Sequence, residues 1–284
     1  SRVSVHRAVA SGANVRRRAE DVKSGTTVLK RGSRISARQV ALLAGLGFHR
    51  VRVRPAPRVV VVSIGDELVE PGQSREAGDV FDANGHALAC AVTDAGGQAF
   101  RVAAVPDELR ALADTIEDQL VRADVLITTG GLSVGQGDTV KEVLAPLGSV
   151  RFDAVAMSPG RQLGVGTVEG TPIFCLPGDP VSAQIAFETF VRPVLRQIAG
   201  RTSLHRSSLP ATISEGWHSP SGKREFVPVH VSGSPSRGYR AEPTTPPGTV
   251  RLHGLSEANA IAVVPEDTST VVAGDTLHCL LLDA

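Results

Sequence analysis

Arg58 to Ile64 reads RVVVVSI, four consecutive valines closed by Ser63 and Ile64. A strand with one wet face alternates apolar and polar residues. An unbroken β-branched run has no face to give to water and reads as a strand covered on both sides. Such strands belong to parallel sheets flanked by helices, and the sequence downstream keeps that rhythm. A helix fits Asn84–Ala95, ended by Gly96-Gly97, followed by a strand at 99–105, a helix at 108–121 and a strand at 124–128. Another helix fits Thr139–Leu147. After two short strand segments comes the longest helical candidate, PVSAQIAFETFVRPVLRQIAG from Pro180, with Asp179 a natural N-cap and Pro180 at the first helical position. Strands alternating with helices predict an α/β domain with a mostly parallel sheet across residues 58–200.

The flanks differ in texture. Residues 1–57 read as short strands and turns, then a helix near 37–46 that Gly47 ends, with Pro55 and Pro57 as a boundary. Residues 201–284 are rich in Pro, Ser and Gly around EFVPVHV, AIAVVPE and TLHCLLLDA, the pattern of a small all-β domain.

The net charge of +1 hides an asymmetry: residues 1–58 hold fourteen Lys/Arg against two acids, Glu20 and Asp21, so the remainder carries −11. A basic segment can mark an anionic partner, but this one lacks aromatic interleaving and any nucleic-acid motif, which favours a solvated face. Three widely spaced cysteines argue against a disulfide framework or structural zinc. No apolar run approaches the roughly 18–20 residues that span a bilayer, and no signal-peptide pattern is present, so a cytoplasmic protein is expected.

Ligands of parallel α/β sheets bind at the carboxyl ends of strands. Three polar loops leave strand ends here: SIGDELVEPG (63–72), TTGGLSVGQGD (128–138) and LPGDPVS (176–182). The middle loop fits neither GxxxxGK[ST] nor GxGxxG, yet its glycines let backbone N–H groups converge at a helix start, which favours an anion. Ser63, Thr129, Gly130, Gly131, Ser133, Gly135 and Gly178 are the binding candidates on these loops. Asp138 reads equally as the N-cap of the next helix and as an active-site acid that holds Mg²⁺. Asp66 and Glu67 face the same choice. Arg161, on a Pro-Gly turn entering a strand, suits a phosphate or oxyanion, and Ser182 lies in the first turn of the long helix. Cys175 reads as a small core residue.

Taken in order, GDELVEPG, FDANG, TTGGLSVGQGDTVKEVL, AMSPGRQ and LPGDPVSA resemble the molybdopterin molybdenumtransferase family, the bacterial MoeA proteins and the E domain of gephyrin. GANVRRRAEDVKSGTTVLKRG (12–32) and RLHGLSEANAIAVVPE (251–266) extend the resemblance over nearly the whole chain. It implies a MogA-like α/β domain for 58–200, a β-barrel-like domain for 201–284 and part of an elongated N-terminal domain for 1–57. Members work as dimers, insert molybdate into adenylylated molybdopterin and release AMP with a divalent cation assisting. By resemblance, Asp66 and Glu67 fall on the GDE acids, Asp138 on the acid after the GGxSxG loop, Ser182 on the serine after PGNP, and Asp21 on the acid of the GED motif.

The chain departs from the family at AED for GED, at PGRQ (159–162) for PGKP, at PGDP (177–180) for PGNP, and at Ile64, where threonine commonly precedes GDE. It begins in what resembles mid-family sequence, as if an N-terminal portion were absent. The reaction needs donors for molybdate, for which Ser133, Arg161 and Ser182 are nominated, and Mg²⁺ or another divalent cation, with Asp138 and Glu67 as ligands. Two other readings stand beside it. An adenylyltransferase shares the α/β fold but lacks both flanks. A gephyrin-like scaffold would bind a peptide of a partner protein.

Overall fold

The computed structural model describes residues 2–4, 6–132 and 138–282. They fall into two compact units, Ser1–Val51 and Arg52–Ala284. The first holds α1 (Ala37–Gly45), preceded by Ser36, whose N–H donates to Gln39 Oε1 at 3.1 Å. The short strands expected there are absent among its described residues. Leu43 is the one hydrophobic side chain buried in that unit among those residues, whereas Val3, Val9, Val15 and Val40 are exposed. A strand needs a paired edge and an apolar face to bury, and this segment supplies neither.

In the second unit the chain runs through β1 (Arg58–Ser63), β2 (Leu68–Val69), β3 (Val80–Phe81), α2 (Asn84–Ala95), β4 (Gln98–Arg101), α3 (Leu109–Leu120), β5 (Val125–Thr129) and α4 (Thr139–Leu147). It continues through β6 (Gly148–Ala154), β7 (Met157–Ser158), β8 (Gln162–Val168), β9 (Thr171–Leu176), α5 (Pro180–Ala186), a π-helical turn (Phe187–Val191) and α6 (Arg192–Ile198). The large sheet has the order β4-β1-β5-β9-β8-β6. Its first four strands are parallel, and β8 and β6 add antiparallel pairings at one side.

The valine run shows why this sheet is covered twice. Val59 and Val61 enter one core with Leu88 and Val92 of α2, Phe187 and Leu195. Val60 and Val62 enter the other with Leu112 and Ile116 of α3 and Val140 and Leu144 of α4. Because successive side chains point to opposite faces, only an uninterrupted apolar run can serve both layers.

Two elements differ from the sequence reading. The strand expected at 99–105 is shorter, and Val105 returns only as an isolated bridge to Ile64. The long helix from Pro180 is broken by the π turn. Pro193 has no N–H to donate, and its ring would meet the carbonyl of residue 189 in a regular helix, so the turn before it widens.

The C-terminal part contains β10 (Ser208–Ile213), β11 (Trp217–His218), β12 (Arg224–Ser234), β13 (Gly238–Pro243), α7 (Leu252–Glu257), β14 (Ala260–Val264), β15 (Thr270–Val271) and β16 (Thr276–Leu281). Strands β13, β10, β16, β14 and β12 pair in that order and β12 pairs back to β13, which closes a barrel and removes its free edges. The short helix α7 was not expected from the sequence. β7 adds to β12 in parallel, and Met157, Val181, Ile185, Phe226 and Ile261 form a core between the barrel and the α/β layers.

Candidate functional site

From β1 the chain crosses to β4 on one side and then returns to β5 on the other. The order therefore reverses between β1 and β5, the place where open α/β sheets leave a crevice at the strand ends. A cavity of about 280 Å³ lies there, lined by Ser63, Glu67 and neighbouring backbone after β1, by Thr129, Gly130 and Gly131 after β5, and by Gly178 after β9. Leu68, Val80 and Phe81 give it an apolar wall, and Asp82, Asn84 and Asp107 complete the polar part.

The glycines of the middle loop have a structural cause. Gly130 and Gly131 sit at φ +89° and +66°. A Cβ on Gly130 would lie 2.2 Å from the Ile64 carbonyl oxygen, and one on Gly131 would lie 2.6 Å from Val140 Cγ2. The loop is thus pressed against the end of β1 and the start of α4, which only a bare backbone permits. Ser133 and Gly135 lie outside the described residues.

The floor is a set of linked polar groups, in which Asn84 Oδ1 has no hydrogen-bond partner among the described residues. Asp82 accepts from Ser63 Oγ at 2.9 Å, from the Gly85 N–H at 2.8 Å and from Arg101 Nη1 at 3.3 Å. Arg101 is held in turn by both oxygens of Glu70, at 2.6 and 2.8 Å, and its guanidinium keeps the Glu70 carboxyl below its ordinary range. Asn84 Nδ2 donates to Thr129 Oγ1 and to the Gly178 carbonyl, both at 2.8 Å, while Thr129 Oγ1 donates to the Pro177 carbonyl. One amide at the start of α2 therefore ties the end of β5 to the end of β9.

Of the nominated acids, Glu67 lines the cavity and is exposed. Asp66 is exposed and accepts the Asp107 N–H at 2.9 Å. Asp138 is the N-cap of α4, accepting the Lys141 N–H at 3.2 Å. Burial pushes its carboxyl above the ordinary aspartate range, and the charges of Asp107 and Glu142 push the same way. Asp107 thus links Asp66 and Asp138 to the cavity it lines. It was not nominated from the sequence, and its signal is the polar VPDE turn between β4 and α3. Asp82, Asn84 and Arg101 were missed too, although FDANG was quoted. Its acid and amide three and one residues before Gly85 are what the floor is made of.

The remaining nominees stand elsewhere. Ser182 is buried with its N–H on Asp179 Oδ1 at 2.8 Å, and Gly160 packs on its backbone, which brings the exposed Arg161 next to the start of α5. Neither Arg161 nor Ser182 is among the described residues lining the cavity. Gly178, whose Cβ position is 3.5 Å from Gly130 Cα, stands between that pair and the cavity. Asp21 is an exposed bend residue in the other compact unit. Cys175 is fully buried in β9, and burial pushes its thiol up to about 12, so it is a core residue and no nucleophile.

With this geometry in hand, three comparisons converge. Residues 60–197 match the family described as "Probable molybdopterin binding domain", residues 210–282 the "MoeA C-terminal region (domain IV)" and residues 1–47 the "MoeA N-terminal region (domain I and II)". "Molybdopterin molybdenumtransferase 2" of Mycobacterium tuberculosis is 37% identical over 97% of this chain and 69% of its own length. "Gephyrin" of Dictyostelium discoideum is 29% identical over 99% of this chain and 44% of its own. A MoeA protein of Pyrococcus horikosii superposes with a TM-score of 0.78 at 29% identity, over 89% of this chain and 61% of that one. Fold and site together define the MoeA class of molybdenum cofactor biosynthesis proteins. The chain belongs to the molybdopterin molybdenumtransferase family, and it spans about two thirds of the length of these bacterial and archaeal relatives.

Two outcomes test the site as built. Gly130→Ala is expected to cost about 3 kcal/mol in chemical denaturation, because strained φ and a backbone clash combine. Gly170→Ala, at φ +83° with open space around it, should cost only about 1 kcal/mol. For Asp138, a folded-state pKa above the unfolded value means that ionisation works against the fold. Parent stability should fall relative to Asp138→Asn as pH rises from below about 3.9 through the raised value, then stay level. Unfolding midpoints between pH 3 and 8 read this directly, and a gap that closes with rising pH contradicts it.

Proposed function

We propose that the protein inserts molybdate into adenylylated molybdopterin with release of AMP. The observation that carries this reading is the cavity at the β1–β5 reversal, where glycine backbone, Glu67 and Asp107 meet and Asp138 stands above its ordinary pKa nearby. A carboxyl shifted toward neutrality is suited to orient or deprotonate water attacking the phosphoanhydride to AMP. Asp138 takes that role, Glu67 faces the same space, and Asp66 holds the Asp107 backbone. Backbone N–H groups at Gly131 and Gly178 suit the phosphate oxygens, with Gly130, its N–H tied to the Leu176 carbonyl, holding the loop close, Ser63 and Thr129 fixing the loop ends and Ser133 and Gly135 completing the loop. Arg161 and Ser182, brought together through Gly160, form the molybdate side. Asp21, in the other compact unit, falls on the acid of the family's GED motif and is assigned to substrate binding on that ground alone.

A divalent cation such as Mg²⁺ fits this donor set. Among the described residues no group of three or more His, Cys, Asp or Glu is arranged as a cage. Mg²⁺ usually takes only one or two carboxylates and completes its shell with water and substrate phosphates. Asp138 and Glu67 would hold it, and it would supply screening of the charge that develops on phosphate.

Two of the departures from the family pattern have local causes. Ile64 is buried in the core beside α3 and α4, where a hydroxyl would gain no solvent. Asp179 caps α5, so its carboxylate serves a helix N-terminus as an amide there would. The cause of Gln162 is not resolved by its half-buried place at the start of β8.

We place the molybdopterin-binding domain at 58–200, the barrel domain at 201–284 and part of the elongated domain at 1–57, in a cytoplasmic homodimer. The second reading is a peptide-binding scaffold, favoured by the gephyrin relative. Molybdate-dependent AMP release with Mg²⁺ separates the two. Turnover supports the transferase, and none at millimolar molybdate supports the scaffold. Asp138→Asn and Glu67→Gln should each lower release at least about a hundredfold while remaining folded, as circular dichroism would show. Full turnover in the Asp138 variant reduces that residue to a helix cap.

A further inference from the structure

We infer that Phe81 and Arg75 together form the recognition face for a flat nitrogen heterocycle carrying a phosphate. This rests on the functional reading above and names the residues that would hold one half of the substrate.

Phe81 is 41% exposed and lines the cavity, at the point where the chain passes from the exposed Val80 to the buried Asp82. The backbone that carries the ring is held in place: β3 pairs with β2, the Val80 N–H donates to the Glu67 carbonyl at 2.7 Å, and the Asp82 N–H donates to the Val69 carbonyl at 2.9 Å. An exposed aromatic ring on an anchored backbone at a cavity wall is a stacking platform, and every flat heterocycle offers a matching face.

Arg75 supplies the charge. Its Cζ lies 5.6 Å from the Phe81 centroid, within cation–π range. Among the described residues the charged side chains that line the cavity are Glu67, Asp82 and Asp107, all acids, and Arg75 stands outside that lining, against Phe81. Asp82 is answered by Arg101, which leaves Glu67 and Asp107 facing any anion that enters. Arg75 forms no ion pair with a described carboxylate, so its guanidinium is available to a phosphate that would otherwise be repelled. At about 280 Å³ the cavity is at the small end of ligand sites, which suits a single ring system with its phosphate.

Both halves of adenylylated molybdopterin answer this description, and the test separates them. Calorimetric titration of the full chain with AMP, and separately with a pterin monophosphate, should give parent affinity for one probe that Arg75→Gln weakens roughly tenfold. That variant should also lose part of the salt dependence, and Arg75→Lys should restore it. Phe81→Leu should weaken the same probe roughly tenfold and leave the salt slope unchanged. The probe affected identifies the half. If the parent binds and both variants bind equally well, the inference falls and the functional reading survives. If the parent binds neither probe and releases no AMP, both fall together.

Discussion

The Ile64 carbonyl lies where a side chain on residue 130 would need to be. That contact draws the ends of β1 and β5 together, and the rest of the site depends on it. The Ile64 N–H donates to the Thr129 carbonyl at 2.9 Å, and the Gly130 N–H reaches the Leu176 carbonyl at 3.3 Å, so three parallel strands leave the sheet in register. Their polar loops then have one common space to line. Glycine here serves the fold first. The access that suits an anion comes with the same requirement, since residues without side chains let two backbones touch and let a ligand reach the backbone.

Beneath the loops, the floor is held by hydrogen bonds among its buried polar groups. A carboxylate as buried as Asp82 is tolerable only with a counter-charge and several donors, and it has Arg101, Ser63 and the start of α2. Glu70 restrains Arg101 from the other side, so a chain of polar contacts runs from the floor to the surface at His86. The Asn84 amide does for β5 and β9 what Asp82 does for β1 and α2. Helix α2 is therefore more than a cover for the sheet. Its first turn, by way of FDANG, sets the positions of the strand ends.

This division also decides what could be read from the amino-acid order. The four valines, the caps at Asp138 and Asp179 and the strand-end loops were legible because each follows from local periodicity or from one residue's hydrogen-bonding needs. Asp82, Asn84, Asp107 and Arg101 were not, because the bonds that tie them to other elements span 19 to 94 residues, where nothing local marks the partner. The π turn was hidden for another reason. Its apolar spacing is helical throughout, and only the missing N–H of Pro193 tells against a regular helix. Ahead of α1, which its apolar spacing and Gly47 made legible, the first segment reads as short strands and turns, but strands form where pairing and burial are available, and among the described residues Leu43 alone does not provide them.

Asp138 shows how two competing readings of one residue become a single physical statement. As a cap it must accept a backbone hydrogen bond, and the Lys141 N–H with its helix dipole favours the ionised form. Burial, Asp107 and Glu142 oppose that ionisation, and burial is the largest influence. The helix thus fixes the carboxyl in space without neutralising it. A purely structural cap would be better served by an amide, which accepts the same bond at no electrostatic cost. An acid kept at that position, beside Asp107 at the cavity, holds free energy that a cation or a proton can collect. The cap accounts for where Asp138 is, and the role proposed for it in the reaction supplies a reason for an acid there.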